Sequence, residues 1–221
     1  LPSYTKAERQ NLADVVASPV ATEGLEGLAD PNVGWVSLLA VVALWLGALG
    51  TYTVVRAVAR GLLGSAESTP KLIAKALLPG LVVVGVQAVL LGALVHVGLG
   101  LAWPKTFEVT GVLLVAAAAF AVLNHALVAL MGGFGRLLAV VFAVVTTAST
   151  VVAAAPGALT ALRPFSPLTP ALDAVRAVLT ESSGAAASTW LVVGWLLLGL
   201  LGSAIAITRR RTTTLAAAVV G

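Results

Sequence analysis

Few side chains inside the apolar runs of this chain could do chemistry. His96 and His125 are its two histidines, and Gln87 and Asn124 are the only side-chain amides within the long hydrophobic stretches. Imidazole can relay protons or ligate a metal, and a polar group held inside a membrane is costly enough to suggest function. The same groups also serve as hydrogen-bond partners between packed helices, the role favoured here for Asn124, His125 and His96. Thr146, Thr147, Ser149 and Thr150 form a hydroxyl run. Such hydroxyls bond back to the preceding turn or stitch helices; lining a polar conduit is the alternative. Enzyme chemistry finds little support. The chain has no phosphate-binding G-x-x-x-x-G-K-[ST] loop, no H-E-x-x-H motif and no cysteine. A Ser166, His96 and Asp173 set can be assembled on paper, with nothing to tie it together. The expectation is a non-enzyme with no catalytic residue, cofactor or metal.

The elements that must position these groups are membrane helices. Apolar residues make up 59% of the chain, charged residues 10%, and the mean hydropathy is +1.05, far from a soluble domain. Five runs free of Lys, Arg, Asp and Glu are long enough to cross the hydrocarbon core: about 35–55, 76–102, 109–131, 137–155 and 190–207. Unbroken runs of this length predict an all-α integral membrane fold, whereas a barrel shows alternating strands of about ten residues. No Asp or Glu lies within the runs, so a self-powered proton- or sodium-coupled transporter does not fit. Arg56, Arg60, Lys71, Lys75, Arg136 and Arg209 to Arg211 fall on one side of the predicted topology. By the positive-inside rule that side is cytoplasmic, with the N-terminus outside and the C-terminus inside. Trp35, Trp103 and Trp190 mark span ends on the other side, as an interfacial aromatic belt requires. The triple arginine reads as a topology anchor that meets anionic lipid, not as a nucleic-acid site.

Residues 1–34 are expected to be an extracellular tail. Thr5-Lys-Ala-Glu8 has capping-box spacing and predicts a helix to about Ala17, before Pro19, Gly24, Gly27 and Pro31 interrupt the chain. An N-out start with no preceding signal predicts a missing upstream part with another span and an external domain; cleavage before Leu1 is the alternative. Residues 209–221 are expected to be a cytoplasmic tail. The outer connection, 156–188, carries a short amphipathic helix with Thr169 as N-cap, Pro170 at N1 and Asp173 in the first turn. Leu172, Val175 and Leu179 recur on one face, placing this helix against or into the outer membrane surface. Pro156-Gly157 predicts that the fourth span ends early and folds back. Asp173 and Arg176, three apart, are expected to pair or to face headgroups.

The run Leu162-Arg-Pro-Phe-Ser-Pro-Leu-Thr-Pro-Ala-Leu-Asp-Ala-Val-Arg176 resembles a signature of YhgE/Pip family (phage infection protein-like) membrane proteins, with Pro164, Pro167, Thr169, Asp173 and Arg176 in register. Ala121 to Gly132 and Gly135-Arg136 are similar to that family's third- and fourth-span motif. Leu168 and Pro170 stand where the family has Met and Tyr, and Val152 to Pro156 replaces its Gly-Gly-x-Tyr-Pro stretch. The resemblance implies an ABC-2-type permease-like bundle lacking its first helix, with short outer re-entrant or interfacial helices, in a bacterial plasma membrane. It also implies a component of an export or secretion system that forms a homodimer or larger complex. The energy source is then a separate ATPase docked on Arg56, Arg60, Lys71 and Lys75, where Thr69-Pro70 starts a helix similar to a coupling helix. The alternative is a membrane anchor or scaffold for an external domain, serving secretion-complex assembly or exploited as a phage receptor.

Overall fold

The computed structural model describes residues 31–55, 68–152 and 156–220, with no side chains for residues 31 and 211–220. The predicted helix at 5–17, together with Arg56, Arg60 and the Arg211 side chain, lies outside the described residues. Within them every regular element is helical: α1 (Pro31–Val54), α2 (Thr69–Leu99), α3 (Trp103–Met131), α4 (Gly133–Val151), α5 (Gly157–Leu162), a 3-10 turn (Arg163–Phe165), α6 (Leu168–Leu179) and α7 (Ala185–Val220). Five of them, α1, α2, α3, α4 and α7, are long and apolar enough to cross a membrane, so the described part is an all-helical bundle suited to a membrane.

α3 is the hub. It packs most extensively on α7 and α2, and also on α1, α4 and α6, and 72% of its most hydrophobic stretch is buried. Its alanines at 116, 117, 119 and 121 let neighbouring backbones approach closely, which drives association where lipid removes the hydrophobic force between helices. Gly199 of α7 sits directly on this surface: a Cβ there would lie 2.9 Å from the Leu123 amide nitrogen. Large side chains fill the remaining space. Trp45 is fully buried, meets Phe120 edge-on at 5.0 Å, and donates from Nε1 to the Ala139 carbonyl at 2.8 Å, tying α1 to α4. Gly132 alone connects α3 to α4, at a φ of 61° that a side chain rarely adopts.

Short connections at alternate ends make the neighbours antiparallel. One end carries Trp35, Trp103 and Trp190, and the other Arg136, Arg209 and Arg210; they are called here the tryptophan end and the arginine end.

Two expectations are corrected. Thr69-Pro70 does not open a separate coupling-type helix; it begins α2, which runs unbroken for 31 residues, about 46 Å against a core of about 30 Å. The helix continues because Leu72, Ala76 and Leu77 are buried while Lys71 and Lys75 point outward. Beyond residue 208, α7 stays helical to Val220. The connecting helix α6 is not a surface helix. Leu168, Ala171, Leu172, Ala174 and Val175 are all fully buried, because alanines opposite the larger side chains let α6 wedge against α1, α3 and α7.

Candidate functional site at the tryptophan end

The segment that leads into α6 is shaped by its hydrogen bonds. Ser166 is fully buried, and its hydroxyl shares a hydrogen bond with Thr146 of α4 at 2.7 Å. The Ser166 carbonyl accepts the Thr169 amide at 3.2 Å, and its Oγ accepts the Leu168 amide at 3.4 Å. The N-cap position that the spacing assigns to Thr169 falls on Pro167, with Ser166 just ahead of it. Thr169 instead lies inside the first turn, and its hydroxyl donates to the Arg163 carbonyl at 2.7 Å. Asp173 consequently falls beyond the first turn.

Asp173 pairs not with Arg176 but with Arg163, whose Nη2 donates to Oδ1 at 3.3 Å. The two side chains are 35% and 44% exposed, so solvent screening keeps this pair weak. They form the polar corner of a cavity of about 570 Å³. Thr160, Pro164, Thr169 and Pro170 continue that wall, and Leu191 and Trp195 of α7 supply an apolar one. Of the motif residues, Pro164, Thr169 and Asp173 thus share one cleft. Pro167 is buried behind them, and Arg176 turns the other way, toward α1 and α4. Burial lowers the Arg176 pKa, with Asp173 opposing and Arg163 reinforcing that shift; a guanidinium stays protonated regardless.

The other candidates are dispersed: Gln87, His125 and His96 join neighbouring helices, whereas Asn124 bonds only within its own helix and leaves its Oδ1 buried without a partner. Gln87 of α2 donates to the Ala43 carbonyl of α1 at 2.9 Å. Asn124 donates to the Phe120 carbonyl at 3.0 Å in its own helix. His125 Nδ1 lies 2.9 Å from Ser203 Oγ of α7, and the ring meets Tyr52 edge-on at 5.3 Å. His96 lies 2.9 Å from Thr106 Oγ1 and stacks on Trp103. Ser166, His96 and Asp173 therefore have different partners and form no triad. Among the described residues no three His, Cys, Asp or Glu side chains converge as metal ligands. Lys71 and Lys75 lie on the first turns of α2, at the arginine end.

The chain matches no family model, no curated protein and no solved structure. The cleft must be interpreted from its own chemistry. Arg163, Ser203 and Tyr52 are the residues that sequence reasoning passed over. Arg163 has a local signal, being the one cation just ahead of the proline-rich turn. Ser203 sits unremarked in an apolar run, and its importance comes from a partner 78 positions away.

Proposed function

We propose that this chain is the membrane component of an export or secretion system, a permease-like bundle of the ABC-2 type with no energy source of its own. In this reading it lies in a bacterial plasma membrane with the tryptophan end outside and the arginine end in the cytoplasm. It works as a homodimer or larger complex, and a separate ATPase docks at the basic arginine end. The observation that carries the reading is the cleft between α6 and α7, in which one charged pair faces Leu191 and Trp195. A polar corner against an apolar wall suits an amphiphile.

The chain has no cysteine, so single cysteines report orientation without background. Ser183→Cys is expected to label with a membrane-impermeant maleimide on intact cells and Lys71→Cys to be protected; the reverse pattern overturns the orientation. Purification in mild detergent with mass spectrometry of co-purifying proteins tests the mechanism. A stoichiometric ATPase supports export, and its absence alongside stoichiometric external partners supports the second reading.

That second reading is a scaffold that anchors an external domain. It is favoured by the filling of the bundle centre, where Leu44, Trp45, Leu113 and Phe120 are fully buried. A pump needs a polar path; an anchor does not.

A further inference from the structure

On the other side of α6 from the cleft, between α1 and α4, lies a second cavity of about 240 Å³ bordered by Trp35, Leu38, Thr150, Val151 and Arg176. Two polar atoms there are buried and have no hydrogen-bond partner: Arg176 Nε and Thr150 Oγ1. Neither is usual. Threonines elsewhere in these helices bond back one turn, as Thr51 does to Gly47 at 2.9 Å and Thr189 to Ala185 at 2.7 Å. Asp173 bonds Arg163 directly and acts on Arg176 only through its field, so no acceptor meets the Arg176 Nε. A buried donor without an acceptor costs about 1–3 kcal/mol, so two at one cavity point to an absent acceptor.

Next to the cavity lies a groove of about 470 Å³ along α4, with Leu46 of α1 on its other side; the two border on the same residue, Val151. The groove presents no polar surface, and Leu46, Val140 and Val144 border it. Its depth can be gauged on both helices independently. From Trp35 to Leu46 on α1, and from Val151 to Val140 on α4, the helical rise gives about 16 Å. That is about one leaflet of a hydrocarbon core about 30 Å thick. Trp35 is 51% exposed at the mouth, where an interfacial tryptophan belongs.

We infer that the site between α1, α4 and α6 holds one anionic phospholipid, its phosphate on Arg176 and Thr150 and an acyl chain in the groove of Leu46, Val140 and Val144. The inference is independent of the export reading, because this site and the α6–α7 cleft are lined by different residues.

The test is native mass spectrometry of the whole chain released from vesicles made of equal parts phosphatidylglycerol and phosphatidylcholine. The expected result is retention of phosphatidylglycerol over phosphatidylcholine. Arg176→Gln should lower retention about tenfold, as for loss of a charge-assisted hydrogen bond, and Arg176→Lys should restore part of it. Val144→Trp fills the groove from its lipid-exposed face without touching the head site, and should also lower retention; it serves if the Arg176 variants fail to fold. Equal retention of the two lipids, or unchanged retention in both Arg176→Gln and Val144→Trp, overturns the inference. So does release of the lipid by soluble glycerol phosphate, which would mark a small-anion site with no role for the chain groove.

Discussion

At the arginine end Tyr52, His125 and Ser203 are fully buried and meet one another across α1, α3 and α7. At the tryptophan end Arg163, Asp173, Thr150 and Arg176 border cavities, and Arg176 and Thr150 each leave a buried donor without an acceptor. The first arrangement spends its polar groups on holding helices together. The second leaves them facing space that a ligand can fill. The difference separates residues that fasten the bundle from residues able to recognise something outside it, and it makes the motif-bearing end the one to probe for function.

The contrast predicts a graded series in stability, read by thermal unfolding in detergent. Tyr52→Ala should have the largest effect, about 3 kcal/mol, as for removing a fully buried aromatic ring. The Tyr52 hydroxyl also donates to the Leu77 carbonyl, at 3.4 Å, linking α1 to α2. Ser203→Ala should cost about 1 kcal/mol by depriving His125 of its partner, and a double-mutant cycle with His125→Ala should return a coupling of about 0.6 kcal/mol. Asp173→Asn should cost less than about 0.5 kcal/mol, because a single hydrogen bond between half-exposed charges is screened. A larger loss than Ser203→Ala would break the comparison and make the cleft structural. Glu181→Gln should have the smallest effect, below about 0.3 kcal/mol, since its 3.1 Å pair with Lys105 involves a carboxylate that is 75% exposed.

Spans were legible in the sequence because their signal is one-dimensional: an uncharged apolar run reports its own length. Their ends were less so. Lys71 and Lys75 read as part of a separate helix beside the span, yet long cationic side chains can reach water from a span that continues beneath them. At the candidate site the prolines and Thr169 announced a turn before a helix, but the helix begins earlier, behind Pro167, where Ser166 is held by its bonds to Thr146 and Leu168. No local pattern could reveal that contact, since Thr146 lies 20 positions away. The pairing of Asp173 was misjudged for a similar reason. Spacing along α6 offered Arg176, while the 3-10 turn brought Arg163 alongside.

The central position of α3 has a consequence for biogenesis. Its largest interface is with α7, the last of the described helices, and α4, α5 and α6 come between them in the chain. A ribosome that has released α3 has not yet delivered the helix that covers its alanine face, nor Ser203, the partner of His125. Until α7 inserts, that imidazole and the Gly199-binding surface around Leu123 face lipid or an insertase. Nascent chains stalled before α7 are thus natural clients for membrane quality control.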